Sequence, residues 1–156
     1  ERAGEALARF GGNHPRMVFT AHSLPSRVEK EGDPYSVQLR ETAALAAAEL
    51  GLENYDFAYQ SRGKTGEPWL GPDAAEVIDR LAREGARAVL IAPIGFVSEH
   101  METLYDDDVL YRGQAEGLGL RFERAAALND HPGLIDALAD AVLSTVKGTK
   151  PAPHSY

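Results

Sequence analysis

At 156 residues the chain is long enough for one domain with a real core and short for two. Sixteen basic against 24 acidic residues give a net charge of −8 and a pI near 5.1, which argues against nucleic acid as a partner, though local basic patches can still hold a small anion. There is no cysteine, so disulfides, Cys-held iron–sulfur clusters and structural Cys zinc sites within the chain are excluded; no apolar run has the length of a membrane span, and the opening residues carry no apolar signal-peptide core.

Ala3, Leu7 and Phe10 follow a helical period that Gly11-Gly12-Asn13 ends. The chain starts without Met inside that pattern, so it is expected to be a piece of something longer. Met17 to Ala21 is a short apolar run and predicts a central strand, with His22-Ser23-Leu24-Pro25 at its carboxyl end. Ser26 to Asp33 reads as a polar, mobile stretch. Asp33 then predicts the cap, and Pro34 the first turn, of a helix to about Leu50 with an apolar stripe at Leu39, Ala43, Ala46 and Leu50. Tyr55 to Gln60 alternates as a second strand. The loop Ser61 to Pro72 (SRGKTGEPWLGP) is about as long as compact domains keep without a functional reason.

Asp73 caps a helix to about Glu84, with Ala74, Val77, Ile78 and Leu81 on one face. Val89 to Ala92 is a buried strand that breaks at Pro93-Ile94-Gly95, and Ser98 is expected to cap an acidic helix reaching about Ala115. Leu120 to Ala126 predicts a fourth strand. Asn129-Asp130-His131-Pro132 starts a last helix with its stripe at Ile135, Leu138, Val142 and Val146, and the residues from Lys147 on are expected to form a loose tail. This alternation predicts an α/β fold: a four-stranded parallel sheet with helices on both faces. No glycine-rich nucleotide motif follows any strand.

Two features point to chemistry. Glu99, Glu102, Asp106, Asp107 and Asp108 crowd one helix, and Glu102 and Asp106 at four-residue spacing stack like charges, which a structural helix does not gain from. A solvated helix start explains them as well. His22 ends the first strand and Glu102 lies just beyond the third, so both belong to one sheet edge, where open α/β sheets place their ligands. An imidazole and a carboxylate facing one crevice are an acid–base pair or two ligands for a divalent ion. Trp69 in the long loop offers a flat aromatic wall, and Arg62 and Lys64 a meeting point for carboxylates; a solvated loop explains the two cations equally.

The stretches FTAHSLP (Phe19 to Pro25), GDPY (Gly32 to Tyr35), YQSRGKTGEPWLGPD (Tyr59 to Asp73), PIGFVSEHMETLYDDD (Pro93 to Asp108) and NDHP (Asn129 to Pro132) resemble, in order and at natural spacing, the carboxyl-terminal half of a ferrochelatase, most like the bacterial coproporphyrin type. The resemblance implies a chelatase-like, Rossmann-like three-layer sandwich and the insertion of Fe²⁺ into coproporphyrin III or protoporphyrin IX in cytoplasmic heme biosynthesis. It makes His22 and Glu102 the catalytic pair, adds Asp106 to them as metal ligands, and places Ser23, Tyr59, Ser61, Arg62, Trp69 and Phe96 against the porphyrin. Where the family carries a further acid, this chain has Leu110. Fe²⁺ is then a substrate, no tightly bound cofactor is expected, and any membrane contact is peripheral. The expected partner is a homologous amino-terminal domain that closes the cleft, with residues 1–11 as the lead-in from it, 12–147 as the domain and 148–156 as a flexible tail; a second copy of the chain is the other partner considered. Two alternatives stay open: a half-size cobalt or nickel tetrapyrrole chelatase acting as a dimer, and a non-catalytic flavodoxin-like binding domain.

Overall fold

Four strands, β1 (Arg16–His22), β2 (Asp56–Gln60), β3 (Ala88–Pro93) and β4 (Arg121–Arg124), form one parallel sheet in the order β2-β1-β3-β4. The helices are α1 (Arg2–Ala8), α2 (Arg27–Lys30), α3 (Tyr35–Glu49), α4 (Ala74–Arg83), α5 (Met101–Tyr105), α6 (Arg112–Gly117) and α7 (Pro132–Val146), with a π-helical segment Asp106–Tyr111 joining α5 to α6. This computed structural model describes residues 1–63 and 65–148; Lys64 and the expected tail beyond 148 lie outside the described residues. No helix among the described residues is long and apolar enough to cross a membrane.

Alternation along β1 sorts the core into two halves. Met17 and Phe19 pack with Leu90 of β3, Ala43 and Ala47 of α3, and Ala6 and Phe10 from the start of the chain. Ala6 and Phe10, with Ala3 and Leu7 packed against them, thus bind the helix at the start of the chain to this core. Val18 faces the other way, with Val89 and Ile91, the α4 face Val77-Ile78-Leu81, and Tyr111 and Ala115 beyond the acidic helix. By the same alternation Thr20 and His22 share the face of Val18, the side on which the acidic helix lies.

The chain enters the sheet at β1, moves out to β2, then crosses back to β3 and β4. The boundary between β1 and β3 is thus the point where strand order reverses, and a crevice opens beyond the carboxyl ends there. The loop after β3 is pulled across the end of β1: the Gly95 amide donates to the Thr20 carbonyl at 3.2 Å. A Cβ on Gly95 would lie 2.7 Å from Ala21 Cβ and 2.9 Å from Ala21 Cα, so only glycine fits. Gly95→Ala should therefore cost on the order of 1–3 kcal/mol by overpacking. Gly113→Ala in α6, where a Cβ meets open space, should be neutral or slightly stabilising. Thermal unfolding of the two variants side by side checks this; equal melting temperatures would count against it.

Three local expectations are corrected. The stretch after Pro25 contains the one-turn helix α2 and is anchored at its start, where the Ser26 amide donates to the Pro68 carbonyl at 2.9 Å. The acidic helix is capped at His100, not Ser98: His100 is extended at φ −150°, and its amide donates to Thr103 Oγ1 at 3.3 Å. The stripe of α7 meets no core: no residue of that helix is buried, and Leu138 and Val142 are 54% and 61% exposed.

Candidate functional site

His22 stands at the carboxyl end of β1, 34% of its side chain exposed, with its ring and its backbone each held by one contact. Its Nδ1 lies 2.5 Å from the Ser23 carbonyl, and its own carbonyl accepts from Tyr35 Oη at 2.8 Å. A carbonyl can only accept, so Nδ1 carries a hydrogen and Nε2 is the free position. Nε2 faces Glu102 Oε1 at 3.1 Å. A proton taken up by either group can be shared across that distance, between imidazole and carboxylate. Glu102, at the second position of α5, is half-exposed, which leaves the shared proton in reach of solvent.

Phe96 forms the wall beside this pair. Its ring is edge-on to His22 (centroids 6.3 Å apart) and tilted against His100 (4.9 Å). A cavity of about 600 Å³ lies next to the pair, lined by Ser61, Arg62, Trp69, Asp106, Leu110 and Tyr111 among others; neither His22 nor Glu102 lines it. Trp69 is held by its Nε1 donating to Thr65 Oγ1 at 2.7 Å, with Gly63 so close that a Cβ there would fall 2.3 Å from the indole. Arg62 is exposed beside it.

Ser61 adopts φ +58° at the end of β2, which turns its hydroxyl to donate to the Asp106 carboxylate. Asp106 does not close a three-ligand set with His22 and Glu102: among the described residues no three His, Cys, Asp or Glu side chains converge on one metal position. Two expected substrate contacts sit in the interior. Ser23 is 1% exposed and its hydroxyl donates to the Leu70 carbonyl at 2.9 Å; Tyr59 is 1% exposed and its hydroxyl donates to Ser36 Oγ at 3.0 Å. Both brace the edge of the crevice from behind.

The family model for ferrochelatase matches residues 1–146. The chain belongs to the ferrochelatase family. It is 46% identical over 144 residues to a ferrochelatase of Herpetosiphon aurantiacus, covering 90% of this chain and 47% of that protein. It is also 43% identical to a coproporphyrin III ferrochelatase of Anoxybacillus flavithermus, covering 84% of this chain and 42% of the relative. The chain thus spans about half the length of the curated relatives it matches. Among solved structures, a putative cobalamin (vitamin B12) biosynthesis CbiX protein of Marinobacter aquaeolei shares the fold at a TM-score of 0.61 and 17% identity, covering 87% of this chain and all of that one.

In this ferrochelatase-family domain the acids after Glu102 do not form the simple α-helical row expected. They continue into a π-helical segment, where Asp106 and Leu110 line the cavity while Asp107 turns into the protein and is fully buried. Sequence reasoning also missed the clamp that ties the helix to β4. Arg124 donates to Glu99 Oε1 and to Asp108 Oδ2, both at 2.9 Å, while Glu99 Oε1 also accepts from the Ala127 amide at 2.9 Å. A single arginine at a strand's end was the available signal.

Burial pushes the Asp107 carboxyl up to about 7; Arg124 pulls it down, and Asp108, Asp106 and Glu99 push it further up. Neither carboxyl oxygen has a hydrogen-bond partner. Below the usual value near 3.8 both folded and unfolded states hold the proton, and between there and about 7 only the folded state does. Stability therefore falls as pH rises through that window and levels off above it. Asp107→Asn should remove this slope, with a gain on the order of 2–4 kcal/mol at pH 8 and little gain at pH 4. Melting temperatures of the two proteins at both pH values test it; parallel profiles would refute it.

Proposed function

We propose that this domain supplies the His/Glu wall of a site that inserts ferrous iron into a porphyrin, in cytoplasmic heme biosynthesis. Coproporphyrin III is the substrate favoured in this reading, which the names of several relatives as coproporphyrin III ferrochelatases support. The observation that carries the proposal is the 3.1 Å contact of His22 Nε2 with Glu102 Oε1 at the β1/β3 switch point. Insertion releases two pyrrolic N–H protons as the cation enters, so the wall needs groups that accept protons beside the ring. The imidazole–carboxylate pair accepts one of them, holds it across the 3.1 Å contact, and passes it to water through the exposed Glu102. The second pyrrolic proton leaves by the same route once the first has gone.

Mixed nitrogen and oxygen donors suit Fe²⁺ as a substrate in transit, because a weak site lets the ion move on to the macrocycle. In this reading Asp106 in the cavity is an outer stop for the ion. Trp69 and Phe96 lie flat to the ring, Arg62 meets a propionate, and Ser61 orients Asp106. Ser23 and Tyr59 act as supports.

Crystals soaked in Fe²⁺ or Co²⁺ should show anomalous density within coordination reach of Glu102 or Asp106, and density only at His131 would count against the assignment. The deciding experiment is steady-state insertion by a ferrochelatase-length form, with Co²⁺ and Ni²⁺ in competition. Turnover with Fe²⁺ is expected. Preference for cobalt or nickel would make it another tetrapyrrole chelatase, and absence of both porphyrin binding and turnover would leave a binding domain.

A further inference from the structure

Among the described residues the Glu102 side chain has one hydrogen-bond partner, Nε2 of His22 at 3.1 Å. Its aim is therefore set by where the backbone of α5 lies, not by further contacts of its own. One guanidinium fixes that backbone on both sides of Glu102. Arg124, at the end of β4, donates from Nη1 to Glu99 Oε1 at 2.9 Å, one residue ahead of the cap of α5. From Nη2 and Nε it donates to Asp108 Oδ2 at 2.9 Å and Oδ1 at 3.2 Å, in the π segment beyond Glu102. We propose that Arg124 is a positioning residue that holds Glu102 against His22, an inference that rests on the function proposed above.

Three features make this bracket stiff. The Arg124 side chain is 11% exposed, Glu99 24% and Asp108 31%, so the ion pairs are shielded from water and a planar fork grips two carboxylates. Glu99 is held again by the Ala127 amide, which donates to its Oε1, and by its own amide, which donates to Asn129 Oδ1, both at 2.9 Å. Arg124 is itself seated on the sheet: it stands in register with Ile91 of β3, and the Ala125 amide donates to the Ile91 carbonyl at 2.8 Å. β3 lies beside β1, whose last residue is His22. Both members of the pair are thus referred to one sheet, His22 directly and Glu102 through Arg124. Arg112 also reaches Asp108, at 3.4 Å, but its other partners are Phe122 and Glu116, so it grips only the far end.

Lysine keeps the charge of Arg124 but is a point donor that cannot fork to both acids. In the ferrochelatase-length form Arg124→Lys should lower kcat by about 10-fold, as loosening a supporting side chain around a site commonly does, with KM for the porphyrin little changed. The loss should vanish in a Glu102→Ala background, because Arg124 acts through Glu102. A loss by the same factor in both backgrounds overturns the proposal. Arg112→Gln should leave kcat unchanged.

A second readout needs no turnover. Nitrogen NMR of the His22 ring in the 156-residue chain reports whether Nε2 keeps its partner. In Arg124→Lys the Nε2 signal should move toward its position in Glu102→Ala, and in Arg112→Gln it should stay. An unmoved signal in folded Arg124→Lys overturns the proposal. If Arg124→Lys does not fold, Glu99→Gln, which keeps the shape and removes the charge that Arg124 grips, carries both comparisons with the same expected directions. A shifted signal without turnover in any form sinks the chelatase function and retains the positioning role. Turnover with an unmoved signal does the reverse.

Discussion

In a ferrochelatase-length form, His22→Ala and Glu102→Gln are each expected to lower kcat by roughly 10²-fold or more, the usual loss when a positioned proton acceptor is removed. His22→Ala deletes Nε2, the one ring nitrogen left free by the contact between Nδ1 and the Ser23 carbonyl. Glu102→Gln keeps the shape of the side chain but removes the carboxylate that shares the proton, so it tests the chemistry without opening a cavity. Melting temperatures should move little, because both side chains are a third or more exposed and Tyr35 anchors the backbone carbonyl of residue 22 rather than its ring. A purely structural role predicts the reverse: turnover within a few-fold of normal and a lower melting temperature. Near-normal kcat in both variants would sink the assignment.

Variants further along the helix grade the effect. Asp106→Asn should be milder in kcat and should act mainly on KM for Fe²⁺, because Asp106 meets Ser61 rather than the His22–Glu102 pair. Leu110→Glu adds an acid to the cavity wall and should leave the proton step unchanged.

The strand-and-helix order was legible because each apolar run is short and bounded by turns, and the two central strands are buried on both faces. β3 is buried along its whole length, and every residue of the α4 stripe lies in the core. The convergence of His22 and Glu102 on one edge followed from topology, since both sit at carboxyl ends flanking the switch point. Their contact did not follow from the sequence, because it depends on where the loop after β3 is pinned. Gly95 and Asn129 set that position through backbone hydrogen bonds. The same tethering places the cap of α5 at His100, out of reach of a rule that searches for Ser as a cap. The π segment was illegible for a related reason: an α-helical period aligns residues 102, 106 and 110, and only packing against the sheet sends Asp107 inward. For α7 the pattern announced an apolar face correctly. A pattern cannot say what covers that face.

The 156-residue chain by itself is expected to fold yet to insert iron at a rate at least about 10²-fold below that of a ferrochelatase-length form. Folding alone is expected because the sheet is covered on both faces by the chain's own helices, including α1. Weak turnover is expected because the pair stands at an open edge, with Glu102 half-exposed and the adjoining cavity open to solvent. A porphyrin on a single wall stays solvated and free to tilt, so Fe²⁺ keeps its water and the pyrrole nitrogens seldom meet Nε2 at hydrogen-bond distance. Holding reactants in one geometry and excluding water is where most of such an advantage arises. Steady-state insertion assays on the two forms, at porphyrin concentrations spanning both KM values, decide the matter. A deficit in kcat as well as KM is expected, because the missing wall orients the ring in addition to binding it. Equal kcat in both forms would mean that the His22–Glu102 wall is sufficient, and that the further length in the relatives serves another purpose.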